Sequence, residues 1–186
     1  MRRGGACALL VLLSPLNPSP PPPPPSSLPC CASTPGAPGA TIYASERNLG
    51  AHTGVRLHAV STDGGATFDP ARTGVDKGLP DVVTANWTGV VSGLTRFGSG
   101  GALAFSTPAA PGARANLSLW AGREDGAGGV AWAPAPARSL WAGPAAYSDL
   151  VALNSTHLGL VFEGGAVGSG DFAAGIFFAA FSCEGL

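Results

Sequence analysis

The chain has 186 residues, a formal charge of −1 and only 11% charged side chains. No basic surface is available to neutralise a phosphate backbone or an anionic membrane, so nucleic acid is not an expected partner. The length fits one modest domain once a first segment that cannot build a core is set aside.

That segment is residues 1–39. It opens "MRRGGACALLVLL", two arginines ahead of an apolar run from Ala6 to Leu13, the layout of a secretory signal and too short to span a bilayer as a helix. A misassigned start of translation explains the same residues equally well. If the signal is real, the expected location is the secretory pathway or the cell exterior, with the lysosome as a further destination. Pro20 to Pro25 fixes an extended polyproline linker, because proline has no N–H for a helix or a ladder. No other apolar stretch is long enough for a membrane span. Sequons at Asn86, Asn116 and Asn154 agree with export, although each is also an ordinary turn sequence.

Cysteine is sparse, and one disulfide from Cys183 to Cys30 or Cys31 is open. Neither the cysteines nor His52, His58 and His157 have metal-ligand spacing, so no metal and no cofactor is expected.

Residues 40–186 keep one rhythm of short runs rich in Val, Leu, Ile, Phe and Trp, separated by Gly, Pro, Asn or Asp. The predicted strands are "TIYASER", "GVRLHAVS", "TGVVSGLTRF", "GALAFST", "ANLSLWA", "SLWAG", "YSDLVAL", "HLGLVFE" and "AGIFFAAFS", with no helical period. In "GVRLHAVS", Val55, Leu57 and Ala59 share one face and Arg56 and His58 the other. The fold class is all-β: a sandwich, a barrel or propeller blades.

Between the second and third of these strands lies "STDGGATF". Ser61 and Asp63 accept hydrogen bonds from nearby backbone N–H groups and Gly65 permits positive φ, so Ser61, Asp63, Gly65, Thr67 and Phe68 predict a self-pinned hairpin with the aromatic tucked against the sheet. This spacing resembles the Asp-box that joins the outer two strands of blades in sialidase-type β-propellers. A degraded second copy lies at "REDGAGGVAW", ending in Trp132.

Three further pieces follow in order: "YASERN", "FSTPAAPGARANLSLW" and "GPAAYSDLVAL" with "HLGLVFEGG". Together residues 40–186 resemble the C-terminal half of the exo-α-sialidase family. The resemblance implies a partial six-bladed propeller, about three blades at roughly 40 to 50 residues each, behind a disordered N-terminal segment. It also implies release of terminal α-linked sialic acid from sialylated glycans with retention. Tyr147 matches the nucleophile. A neutral phenol suits a sugar with a carboxylate on its anomeric carbon, where a carboxylate nucleophile would be repelled. Arg47 and Arg114 match two of three carboxylate-binding arginines, since a planar guanidinium clasps a carboxylate through parallel N–H bonds. Glu163 matches the glutamate that supports the remaining arginine.

The sequence departs from the family in three places. The stretch "LPCCASTPGAPGA", where the base for the tyrosine belongs, contains no acid. The first arginine and the acid/base aspartate also lack counterparts. Impaired activity is expected, the alternative being a non-catalytic propeller fragment that binds glycan or protein. Half a ring leaves open sheet edges, so missing blades or self-association are needed to close it.

Overall fold

The computed structural model describes residues 9–13, 40–47, 55–82, 89–98 and 100–186. Eleven strands run through them: β1 (Leu9–Leu13), β2 (Thr41–Glu46), β3 (Val55–Ser61), β4 (Gly74–Pro80), β5 (Gly93–Phe97), β6 (Ala102–Pro108), β7 (Ala115–Glu124), β8 (Val130–Trp132), β9 (Arg138–Ala152), β10 (His157–Gly164) and β11 (Gly175–Ser182). A single 3-10 turn at Pro70–Arg72 is capped by the Asp69 carboxylate, which accepts from Ala71 N. Every pairing is antiparallel, and the all-β expectation holds.

The pairings define three blades of an open β-propeller. The first is the sheet β1-β2-β3-β4. In the second, β5, β6 and β7 are completed by β8 and the first half of β9, which pair with opposite ends of β7. The second half of β9 then leaves that blade and pairs with β10, followed by β11. β5 contacts both β1 and β9, so the leading strands of the three blades stand side by side. The described strands do not close into a ring.

Several elements differ from the sequence expectation. "SLWAG" and "YSDLVAL" are one strand, β9, bent through Gly143 and Pro144. β4 and β8 were not predicted. Leu9–Leu13, within the apolar run read as an export signal and the segment read as disordered, pairs along β2 with Leu9 opposite Ser45 and Leu13 opposite Thr41. Cys30, Cys31 and Asn86 lie outside the described residues, and Cys183 is a buried free thiol.

The core fills the spaces between blades. Tyr43, Val60 and Leu79 from the first blade meet Leu94, Leu103 and Phe105 from the second. Leu117 and Leu119 of the second meet Leu150, Leu158, Leu160 and Phe162 of the third. Each such side chain contributes roughly 1.5–3 kcal/mol by leaving water.

Arg56 lies on the same face of β3 as Val60, the face that packs against the second blade. It is only 2% exposed, although it alternates with Val55 and Leu57. Its guanidinium donates to Ser45 Oγ (3.0 Å), Val90 O (3.1 Å) and Ser92 Oγ (3.3 Å), pairs with Asp81 at 3.4 Å, and lies 5.1 Å from the Phe105 ring centroid. Burial pulls its pKa down while Asp81 opposes that shift. Nearby, the Tyr43 hydroxyl donates to the Asp76 carboxylate and accepts from Trp132 Nε1, with His58 stacked on the ring. Burial, then the adjacent Asp76 charge, pushes the Tyr43 phenol far above its ordinary range.

The Ser61–Phe68 loop joins β3 to β4, the outer two strands of its blade, as the sequence predicts. Ser61 Oγ donates to Asp63 Oδ1 (2.7 Å) and accepts from Gly65 N (2.9 Å); Asp63 Oδ1 accepts from Thr67 N (2.9 Å) and Oδ2 from Thr67 Oγ1 (2.6 Å). Gly65 has φ +92°, and a Cβ there would lie 3.0 Å from Ile42 Cδ1. Phe68 is not tucked against the sheet but 39% exposed, and the side-chain bonds of Ser61, Asp63 and Thr67 hold the turn without it. The degraded copy occupies the matching position, between β7 and β8, where Asp125 Oδ1 accepts from Ala127 N and Gly129 N at 2.8 and 2.9 Å.

The hydrogen bonds from Thr67 and Ser61 hold the Asp63 carboxyl well below its ordinary 3.8. Its contribution to stability is therefore full above that value and lost as pH falls through the depressed folded-state value. Asp63→Asn is expected to lower the urea midpoint at pH 7, and the gap from wild type should shrink below pH 3.8. A gap that stays constant with pH would contradict this.

Among the described residues β11 is an open sheet edge, with Phe178 64% and Ile176 70% exposed. Unpaired N–H and C=O groups beside apolar side chains template further pairing. The chain is expected to self-associate in sedimentation experiments, and Phe178→Lys to shift it toward monomer.

Candidate functional site

Tyr147 sits where β9 has crossed into the third blade. Opposite it, β10 runs one residue short: Phe162 pairs with Ser148 but Gly164 pairs with Ala145. The resulting bulge at Ala146–Tyr147 re-aims the side chain, as bulges beside functional sites do. The flanking backbone is fixed from behind. Ser148 N donates to Val91 O (3.1 Å), and the buried Ser148 Oγ meets Ser106 Oγ at 2.9 Å and accepts from Gly93 N at 3.4 Å. Gly93 must be glycine, because a Cβ would sit 2.6 Å from Leu150 N and 2.8 Å from Ser106 Oγ. With Ser148 and Leu150 turned inward, Tyr147 and Asp149 share the outward face, and Tyr147 is 37% exposed.

Two guanidinium groups reach this phenol from other hairpins. Arg47, one residue beyond β2, donates through Nη1 to Tyr147 Oη at 3.5 Å. Arg114, one residue before β7, places its Cζ 5.4 Å from the centroid of the Tyr147 ring. The Arg114 carbonyl accepts from Ala145 N at 2.8 Å, tying its backbone to the strand that carries Tyr147. A residue 100 positions upstream in sequence and another on an adjacent strand thus converge on one hydroxyl-bearing ring.

Arg47 is seated by close packing. Gly89 (φ +68°) lies against it so tightly that a Cβ would be 2.7 Å from Arg47 Cβ and 2.7 Å from Asp81 Oδ2. Asp81 in turn accepts from Val90 N and pairs with buried Arg56.

Glu163 is half-buried on β10, opposite the bulge and across from Ile176 of β11. Asp149 accepts from its neighbour Leu150 N at 2.9 Å, and desolvation pushes its carboxyl upward. Among the described residues no carboxylate hydrogen-bonds Tyr147 Oη, and no group of three His, Cys, Asp or Glu is placed to hold a metal. Asn116 is partly buried and accepts from Ser139 Oγ at 2.8 Å, whereas Asn154 is exposed and accepts from Thr156 N and Oγ1. No described helix is long and apolar enough to cross a membrane.

Sequence reasoning missed Phe172, Ser106 and Gly89. Phe172, on the β10–β11 loop, lies on Arg114 with a Cζ-to-centroid distance of 4.9 Å. Phe172 lies outside every strand and motif predicted from the sequence, and Gly89 and Ser106, although within "TGVVSGLTRF" and "GALAFST", carry no signal of their own there, so only their spatial proximity reveals them. A cavity of about 350 Å³ elsewhere, lined by Tyr43, His58, Asp76, Lys77, Asp125 and Trp132 among others, is less informative. Its phenol, indole and Asp76 carboxylate are already bonded to one another.

Solved sialidase structures are among those similar to this chain, three of them as follows. The NanB sialidase of Streptococcus pneumoniae matches 98% of it with 22% of its own length, at 19% identity and TM-score 0.61. The intramolecular trans-sialidase of Ruminococcus gnavus matches 96% with 33% of its own length, at 16% identity and TM-score 0.59. The leech intramolecular trans-sialidase matches 79% with 22%, at 18% identity and TM-score 0.57. No protein-family model and no curated protein matches. The fold is therefore sialidase-like, a partial β-propeller, and the chain spans between 22% and 33% of these neighbours' lengths.

Gly89→Ala is expected to cost at least about 1 kcal/mol, because it adds a side chain at positive φ against two packed groups. Urea denaturation measures it, and Arg47→Ala should recover little, since alanine keeps the Cβ that the new methyl meets and Asp81 blocks it as well.

Proposed function

We propose that the chain carries a sialidase-type site for terminal α-linked sialic acid, in which Arg47 and Arg114 grip the sugar carboxylate and Tyr147 attacks the anomeric carbon. The observation that supports it is the convergence of two guanidinium groups on one exposed phenol. Arginine suits the carboxylate because its planar fork donates two parallel bonds. Tyrosine suits the carbon beside that carboxylate because a neutral nucleophile meets no like charge.

In the step proposed, Tyr147 Oη bonds to the anomeric carbon and releases its proton to solvent as the glycosidic C–O bond breaks, and the departing oxygen takes a proton from water. Water then displaces the phenol oxygen, and two inversions give retention. Water is a weak base for the phenol proton. Because Tyr147 Oη is met by a guanidinium rather than a carboxylate, slow turnover is expected, and a second reading, glycan binding without hydrolysis, has that same observation in its favour. Glu163 would support a further arginine supplied by blades outside these residues. Export, with glycosylation at exposed Asn154, completes the proposal.

The test is hydrolysis of a fluorogenic sialoside alongside calorimetry with N-acetylneuraminic acid. Tyr147→Phe should abolish reporter release while leaving sugar affinity nearly intact. Arg114→Ala should weaken binding about ten- to a hundredfold, the loss expected for a charge-assisted hydrogen-bonded pair. Binding without turnover would establish the second reading, and neither binding nor turnover would refute both.

A further inference from the structure

Two aromatic rings lie within cation–π distance of the Arg114 guanidinium. Its Cζ lies 5.4 Å from the Tyr147 centroid and 4.9 Å from the Phe172 centroid. Guanidinium planes stack on aromatic faces while their N–H edges remain available to an anion. Phe172 is itself unusual in its surroundings, a half-buried ring with exposed Asp171, Ala173 and Ala174 on either side.

The loop that carries Phe172 is built to hold it. Gly165 packs so closely that a Cβ there would fall 1.8 Å from Asp171 O. Ser169 Oγ accepts from Asp171 N at 3.2 Å, and Asp171 Oδ1 accepts from Ala173 N at 2.9 Å. Ser169 N donates to Ala166 O at 3.0 Å, and Gly168 and Gly170 supply the positive φ values of 86° and 72° that the turn requires. The backbone is thus pinned immediately before and after the ring. On the other side, the Arg114 main chain is tied to Ala145.

We propose that Phe172 is a positioning residue for Arg114: it clamps the guanidinium against Tyr147 and presents its N–H edge to an incoming carboxylate. The carboxylate half of this inference rests on the sialic acid reading above. The clamp does not. An unrestrained arginine must give up rotamer freedom on binding its ligand, whereas one packed against two rings has already given up part of it.

The experiment has a ligand-free arm and a ligand arm, both on the full chain. The Arg114 Nε–H resonance, assigned by its loss in Arg114→Lys, should carry ring-current shifts in the wild type. Phe172→Ala should move it to the value of a solvated arginine, and Phe172→Tyr should restore it, with far-UV spectra unchanged throughout. Titration then compares N-acetylneuraminic acid with its methyl ester. The wild type and Phe172→Tyr should favour the free acid by roughly tenfold or more, and Phe172→Ala should lose most of that preference. An Arg114 resonance indifferent to Phe172→Ala would overturn the proposal. If the resonance responds but the wild type does not distinguish acid from ester, the clamp stands and the sialic acid reading falls.

Discussion

A buried cation holds the first blade to the second. Arg56 leaves β3, takes Ser45 of β2 with one nitrogen, and reaches Asp81, Val90 and Ser92 on the approach to β5 with another. A guanidinium this deep is tolerated only while its donors are met, so the segment around residues 81 and 90 is bound to the place where they meet it. Gly89 lies in that same segment and seats Arg47. The position of one candidate binding residue is thus set by the solvation needs of a different, buried arginine.

The second candidate arginine is placed by different means. Arg114 belongs to the second blade, yet its carbonyl is bonded to Ala145 and its side chain stacks on Tyr147. β9 makes this possible by serving two blades in turn. Pro144, which cannot donate to a ladder, sits at the change of blade, opposite Ala115 at the start of β7. Immediately afterwards comes the bulge that turns Tyr147 outward. Local features with no chemistry of their own therefore set the geometry of the phenol.

Much of this was legible in the residues, and the failures have physical causes. Strands with apolar runs, such as "HLGLVFE" and "GALAFST", announce themselves. β4 does not, because its buried positions are Asp76 and Leu79, and the carboxylate is held by Tyr43 and Gly78 N rather than by apolar neighbours. β9 looked like two strands because Gly143 and Pro144 read as punctuation. Period 2 sets Arg56 opposite Val55 and Leu57, but it does not reveal that the second blade covers that face. The pinning bonds of the Ser61–Phe68 hairpin followed from local rules, since its partners lie within a few residues of each other. The aromatic of that hairpin did not, because its exposure depends on what packs above it. Tyr147, Arg47 and Arg114 could be named only through resemblance to a family. Their meeting depends on pairings across 100 residues that no local pattern encodes.

The sharing of β9 makes the site mechanically lopsided. Arg114 and Tyr147 ride on one continuous sheet, so a tilt of the first blade against the second carries them together and leaves their stacking intact. Arg47 rides on the other sheet, and its 3.5 Å approach to the phenol spans the seam. Such a cleft behaves like a vice with one fixed jaw. Any breathing of the seam beneath Arg56 changes the gape on the Arg47 side alone, which makes the width of the opening a property of packing far from the ligand.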